Sequence, residues 1–152
     1  MNVDMRGVIN PDDVVSAVLA RMRADEFLRA TVNSFDKGPK RRDNFVNPAM
    51  TVHLLTASID GETDALHGTV VINTYVDDTA TGRAHHDLIG KLNERVVFLM
   101  RRAHLRSHAA GALAHPNLLF KQVHVGQALI LPSDHKGEHV GSVDVRVTVK
   151  RR

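Results

Sequence analysis

Residues Leu66–Met100 read LHGTVVINTYVDDTATGRAHHDLIGKLNERVVFLM, and this stretch decides the fold. After a polar turn, its second part repeats apolar residues every three or four positions, which predicts an amphipathic helix that begins near Thr81 or Gly82 and ends before Gly111. Its first part alternates apolar and polar residues, the pattern of a half-buried strand. Four apolar side chains of that strand share one face: Leu66, Val70, Ile72 and Val76.

Upstream of this stretch, the sequence predicts a helix and then a long loop. Asn10 can cap a helix and Pro11 suits its first position, and the apolar spacing that follows ends between Met22 and Asp25. Residues 34–48 contain Gly-Pro and Asn-Pro and lack a regular period, so they are predicted to form a basic loop.

Four strands complete the predicted fold. Residues 50–59 and 66–76 form an antiparallel hairpin. Residues 118–131 form a strand whose alternation changes phase near Gly126, which indicates a bulge or bend, and residues 140–149 alternate most cleanly. The predicted order is therefore α-β-β-α-β-β. It describes an α+β fold with a mostly antiparallel sheet and helices packed on one of its faces.

Composition favours an ordinary globular domain. The 152 residues are 43% hydrophobic and 24% charged, and they include no cysteine, which excludes disulfides and thiolate chemistry. The N-terminus lacks the apolar core of a signal peptide, and no apolar run approaches the ~20 residues of a membrane helix. We expect a single domain over residues 1–152 that folds in the cytoplasm, requires no cofactor and does not contact a membrane.

Charge is segregated along the chain. Residues 49–81 contain five acidic and no basic side chains, whereas residues 82–115 contain six basic and two acidic ones. Such polarity suits ordered association with a partner or with a second copy. The residues predicted to make these contacts lie in the basic loop, the acidic hairpin and the basic helix: Lys37, Lys40, Arg41, Arg42, Asp60, Glu62, Asp64, Asp77, Asp78, Arg95, Arg101 and Arg102.

The histidines and carboxylates form no complete catalytic or metal-binding motif. His104 and His108 share a helical spacing, but no glutamate follows His104 and nearby arginines disfavour a cation. Asp77 and Asp78 follow a strand, and we interpret them as a turn and helix-start cluster favoured by the helix dipole. No Gly-x-Ser-x-Gly elbow or phosphate-binding Gly-rich loop occurs. The sequence therefore predicts a protein that is not an enzyme, with no catalytic, cofactor or metal residues.

The element order, the chain length and the segment NTYVDDTATGRAHHDLIGKLNERV at residues 73–96 resemble the tail terminator (tail completion, or neck) proteins of tailed bacteriophages. The resemblance implies a ring, usually of six subunits, that caps the tail tube and docks to the head connector, with DNA passing only through its lumen. It also implies a location in the tail or neck of a virion that is assembled in the host cytoplasm.

Other hypotheses remain open at this point. The nearest is a head–tail stopper or another neck or tail-tube-like structural protein. A different class is a small metal-dependent hydrolase or nuclease that uses Asp77, Asp78 and nearby histidines. A third is a nucleic-acid-associated module that uses Lys40, Arg41 and Arg42 to contact phosphates.

Overall fold

The chain forms three helices and a five-stranded sheet within residues 9–101, 113 and 115–152, the part that the computed structural model describes. The α+β class is confirmed, but the predicted order is incomplete because a second helix and a first strand precede the hairpin. The elements in chain order are α1 Pro11–Ala24, α2 Glu26–Thr31, β1 Ser34–Lys37, β2 Ala49–Ile59, β3 Leu66–Asp77, α3 His86–Arg101, β4 Leu118–Pro132 and β5 Glu138–Arg151.

The sheet is mixed, with strand order β1-β2-β3-β5-β4. β1 runs parallel to the first residues of β2, whereas the other three pairings are antiparallel. The prediction of a loop over residues 34–48 was therefore wrong for residues 34–37. This edge strand is only four residues long and includes Asp36 and Lys37, so it has neither the length nor the alternation that would reveal it in the sequence.

Helix α1 begins and ends where the sequence predicts. The Asn10 side chain accepts a hydrogen bond from the Asp12 backbone N–H at 3.0 Å, and Pro11 occupies the first turn. Its apolar side packs into the main core, and the helix stops at Ala24. Asp25 then caps α2, since its carboxylate accepts the Leu28 backbone N–H at 3.1 Å.

Helix α3 begins later than predicted. A turn occupies residues 79–83, closed by the Gly82 N–H on the Thr79 carbonyl, and Gly82 has a positive φ of 79° that a helix cannot contain. The helix follows His85, whose ring Nδ1 accepts the Leu88 backbone N–H at 3.2 Å. His85 therefore caps the helix. Thr81 and Gly82, where the sequence predicts the helix to begin, lie in the preceding turn. The predicted end before Gly111 lies outside the described residues.

The helices pack on one face of the sheet, as predicted. Helix α3 approaches β5 closely at Gly141, where an added Cβ would lie 2.8 Å from Ile89 Cγ2 and would also clash with Asn93. The strand side chains that point to this side join the helices in a single core. The opposite side of the sheet carries no helix among the described elements, and we call it the open face.

Strands β4 and β5 confirm the predicted alternation. In β5, four valines are buried against the helices: Val143, Val145, Val147 and Val149. In β4 the pairing register shifts between Val125 and Ala128, where the sequence predicts a bulge, and again between Phe120 and Gln122. A third shift lies in β2 between Leu54 and Thr56. Bulges of this kind locally increase the bend and twist of a strand, so we expect β2 and β4 to depart from straight strands at these positions.

Candidate functional site

The open face holds two grooves at opposite ends of the sheet. The apolar groove has a volume of about 660 Å³ and lies beside the basic loop, with His53, Leu55, Val71, Tyr75 and Leu131 among its lining residues. The polar groove has a volume of about 480 Å³ and lies beyond it along the same strands. These grooves and the charged segments around them form the candidate interaction surface.

The basic loop is held against the sheet by a buried carboxylate. Glu138, at the start of β5, has a side chain that is 2% exposed, and its oxygens accept hydrogen bonds from three side chains. Arg41 Nε donates at 2.7 Å, Asn47 Nδ2 at 2.6 Å and Ser133 Oγ at 2.5 Å. The Arg41 guanidinium also lies 6.0 Å from the centre of the Tyr75 ring. Arg41 is thus an internal anchor of the loop.

The other cations of the basic loop are also paired within the chain. Lys37 lies 2.9 Å from Asp12, Lys40 lies 2.7 Å from Asp134, and Arg42 lies 2.8 Å from Asp36. These three pairs are substantially exposed, so each adds little to stability. A loop whose four cations all face carboxylates is electrostatically close to neutral, which weakens the hypothesis that Lys40, Arg41 and Arg42 contact phosphates.

The environment of Glu138 keeps it ionised. Burial alone raises the pKa of this carboxyl, but the hydrogen bonds from Ser133, Asn47 and Arg41 outweigh burial and lower its pKa below the ordinary value. Asp25 behaves in the same way. Burial is the largest single effect and raises its pKa, but the combined effects of Arg95 and the Leu28 backbone N–H outweigh burial and lower it.

Asp77 and Asp78 do not form a common site. Asp77 accepts a hydrogen bond from Asn47 Nδ2 at 2.7 Å, whereas Asp78 lies 2.6 Å from His139 Nδ1. Both residues precede the first residue of α3 by eight positions or more, so the interpretation as helix-start chemistry was wrong. They instead fasten the end of β3 to the basic loop and to β5.

The acidic hairpin presents its charge at the turn between β2 and β3. Asp60 Oδ1 accepts the backbone N–H of Glu62 at 2.9 Å, and this bond together with one from Thr63 lowers the pKa of Asp60. The side chains of Glu62 and Asp64 are exposed and make no ion pair within the described ranges. Asp64 adopts a positive φ of 57°, which turns the chain back into β3.

The basic helix α3 presents fewer unpaired cations than the sequence suggests. Arg95 is occupied by Asp25, with Nη2 to Oδ1 at 2.6 Å and Nε to Oδ2 at 3.0 Å, and it stacks 4.9 Å from the Phe98 ring centre. Arg101 is exposed at the end of α3. Arg102 lies outside the described residues, as do His104 and His108.

His53 contributes a neutral imidazole to the apolar groove. Burial lowers the pKa of this histidine, and its Nδ1 has no hydrogen-bond partner among the described residues. Around it, Leu55 and Leu131 are 62% and 41% exposed, and Leu129 on the same face is 45% exposed. Several exposed apolar side chains on one sheet face are typical of a surface that another protein covers.

Sequence reasoning missed Arg146 and its neighbours in the polar groove. The alternation of β5 places Arg146 on the outer face, but nothing in the linear sequence shows which side chains of β2, β3 and β4 lie beside it. The pairing brings His67, Thr69 and His124 into the same part of the open face. Such a cluster depends on sheet order, which a single sequence does not reveal.

The described ranges contain neither a cluster of metal ligands nor a membrane-spanning helix. No group of three or more His, Cys, Asp or Glu side chains there is arranged to hold a metal ion. None of the helices described is long and apolar enough to cross a membrane.

A similar fold occurs in one chain of a solved virion structure. No protein-family model matches this chain, and no curated protein matches it. A chain in the structure "Virion of native gene transfer agent (GTA) particle" superimposes with a TM-score of 0.52 and 15% identity, over 90% of this chain and 94% of that chain. The two chains share a fold. A second solved chain covers 95% of this one and 96% of itself, at a TM-score of 0.45 and 10% identity, a likeness too slight to add to that assignment.

Proposed function

We propose that this protein is a structural subunit of a phage-like virion, and specifically a tail terminator. In this role, copies of the chain form a ring, with six as the expected number, that caps the tail tube and docks it to the head connector. The protein acts through contacts and not through catalysis. DNA passes through the lumen, and the site of action is the tail or neck of the particle.

The observation that carries the proposal is the overlap of nearly the whole chain with a chain of a gene transfer agent virion. The overlap covers both chains almost completely, so it supports a shared subunit architecture and not a fragment common to many folds. The tail and ring assignments rest on the sequence resemblance of residues 73–96 to tail terminator proteins.

The surface of the subunit offers contacts for a ring. A subunit in a closed ring needs two different surfaces that fit each other. The acidic hairpin presents Glu62 and Asp64 without ion pairs in the described ranges, and Arg101 is exposed at the end of α3. We therefore propose that the hairpin of one copy faces the basic helix of the next.

A charge exchange tests this contact. Glu62→Lys is expected to weaken self-association, and Arg101→Glu in the same chain is expected to restore it, because the two charges are exchanged across the interface. The matched control is Glu26→Lys, which makes the same charge change at an exposed position of α2. Size-exclusion chromatography with light scattering gives the mass of each species, for the chain alone and for the chain mixed in turn with the tube protein and the connector protein of the same particle.

The expected result is a defined multimer, on its own or in the presence of tube protein, that Glu62→Lys reduces and Glu26→Lys leaves intact. A chain that stays monomeric under both conditions and never co-elutes with tube or connector protein would exclude the proposal. Co-elution with connector alone would favour the head–tail stopper, because a stopper does not require the tube end.

A further inference from the structure

The polar groove is a cluster of hydrogen-bond donors from four strands of the open face. It lies at the end of the sheet opposite the basic loop. Strand pairing places Thr69 of β3 beside Arg146 of β5, and Arg146 beside His124 of β4. The groove of about 480 Å³ also includes these polar side chains: Thr56, Ser58, His67, Gln122 and Thr148.

Arg146 is the cation at the centre of this cluster. Its side chain is exposed, and within the described ranges it makes no ion pair and no hydrogen bond, in contrast to the four cations of the basic loop. Lys150 follows it four residues later on the same face of β5. The strand therefore carries a positive strip toward its end.

Two carboxylates in this part of the molecule already accept hydrogen bonds from backbone N–H groups. Asp144 shares its face of β5 but accepts the Gln127 backbone N–H at the bulge in β4. Asp60 lies beyond His67, in the hairpin turn, and accepts two backbone N–H groups of that turn. Neither carboxylate lies within salt-bridge distance of the guanidinium, so no carboxylate in the described part of the chain neutralises its charge.

The surrounding groups add donors that a ligand could use. His67 Nδ1 and Thr148 Oγ1 lie 3.1 Å apart and bond to each other, whereas His124 and Thr69 make no side-chain hydrogen bond in the described part of the chain. Register shifts in β2 and β4 lie directly beside the groove. Bulges of this kind are common beside binding sites, where they redirect side chains.

From this geometry we infer that the polar groove binds a phosphate group, with Arg146 as its principal ligand. A guanidinium can contact two oxygens of a phosphate at once, and hydroxyl and imidazole groups supply further donors from different directions. A tetrahedral anion with several acceptor oxygens uses such converging donors better than a planar carboxylate does. The unneutralised arginine excludes a metal cation.

Two sources can supply this phosphate, a nucleic-acid backbone and a free phosphate ion, and two titrations separate them. Fluorescence anisotropy with a labelled DNA duplex, at a series of salt concentrations, measures backbone binding. Titration of the ¹⁵N-labelled chain with inorganic phosphate, followed by NMR of the Arg146 side chain and the neighbouring amides, measures the free ion. Shifts with phosphate but no anisotropy change assign the free ion, and both signals together assign the backbone.

The decisive variant is Arg146→Gln, and the matched control is Lys136→Gln in the exposed turn between β4 and β5 at the other end of the sheet. We expect Arg146→Gln to weaken binding about tenfold and to reduce the slope of log affinity against log salt by about one, as the loss of one phosphate contact predicts. Lys136→Gln should leave affinity and slope unchanged.

Two results would overturn the inference. One is the absence of binding to both probes at low salt. The other is an equal loss of affinity in the Arg146→Gln and Lys136→Gln variants, which would indicate diffuse attraction to net charge. The site does not depend on the ring: a chain that stays monomeric but loses phosphate binding on Arg146→Gln would contradict only the proposed function.

Discussion

The basic loop and the polar groove both place positive charge against the sheet, but they use it in different ways. In the loop, Arg41 is 11% exposed and faces the buried carboxylate of Glu138, and the other cations face carboxylates nearer the surface. In the groove, Arg146 is exposed and has no carboxylate partner within the described ranges. The loop thus uses its charge to fasten the fold, and the groove leaves its charge available to a ligand. A count of basic residues along the sequence would instead suggest that the basic loop has more positive charge available to a ligand than the polar groove has.

The largest expected effect is the loss of the carboxylate that holds the loop. Glu138→Ala leaves Arg41 largely buried without its counter-charge and removes the acceptor for Asn47 and Ser133. Breaking a buried pair in this way costs about 3–5 kcal/mol of the free energy of unfolding. Urea denaturation followed by circular dichroism measures it. Asp134→Asn, which removes the exposed partner of Lys40, is the control and should leave the midpoint unchanged; equal losses would show that the loop is not anchored at Glu138.

Low pH should destabilise the fold, because it protonates the buried carboxylates of Glu138 and Asp25. Glu138 and Asp25 have lowered pKa values in the folded chain, so their stabilising contribution is present above the ordinary values of 4.5 and 3.8 and is lost as pH falls below them. His53 acts in the same direction from about pH 6.5 downward, since burial disfavours its protonated form. Urea midpoints should therefore fall gradually below pH 6.5 and steeply below 4.5. Glu138→Gln should flatten the steep part, and an unchanged acid profile in that variant would contradict the assignment.

Asp25 has a smaller but measurable effect. Its carboxylate both caps α2 at Leu28 and pairs with Arg95 of α3. Loss of a helix cap costs about 1 kcal/mol, and loss of a hydrogen bond to a charged group about 1.5–3 kcal/mol, so Asp25→Ala should cost about 2 kcal/mol because Arg95 remains partly solvated. Urea denaturation measures this loss. Arg95→Ala keeps the cap but leaves the carboxylate of Asp25, which is 3% exposed, without its counter-charge, so it should cost at least as much as Asp25→Ala. A clearly smaller loss would show that the ion pair contributes little and that the cap accounts for the cost of Asp25→Ala.

Arg146→Gln should have the smallest effect on stability. An exposed side chain without a partner can be replaced at a cost within about 0.5 kcal/mol. Thermal unfolding of this variant should match that of the wild-type chain, even though its phosphate binding is reduced. A loss of stability comparable to that of Asp25→Ala would show that Arg146 has a structural partner. The polar groove would then use its charge to stabilise the fold, as the basic loop does.

Much of the fold was predictable because it follows local patterns. The cap at Asn10, the alternating valines of β5 and the phase change near Gly126 are each visible within a few residues, and the structure confirms all three. The start of α3 was not predictable. Residues 79–83 form a turn in which Gly82 has a positive φ, and the helix begins only after His85, which is an unusual capping residue.

The candidate surface was less predictable, because it depends on pairing across the sheet. The partners of Lys40 and Arg41 lie more than 90 positions away in the sequence, at Asp134 and Glu138. The linear sequence shows that the loop is basic, but it does not show that distant carboxylates neutralise the cations of the loop. Likewise, Arg146 becomes notable only when β2, β3 and β4 are placed beside it.

The central claim is that this chain is a subunit of a ring at the end of a virion tail. A cryo-electron microscopy reconstruction of the particle that contains the chain, at a resolution that shows secondary structure, tests it most directly. We predict one ring of copies, expected to number six, between the tail tube and the head connector, with the acidic hairpin of each copy against the basic helix of the next. Purified particles that lack the chain, or that contain it only in the capsid, would contradict the proposed function.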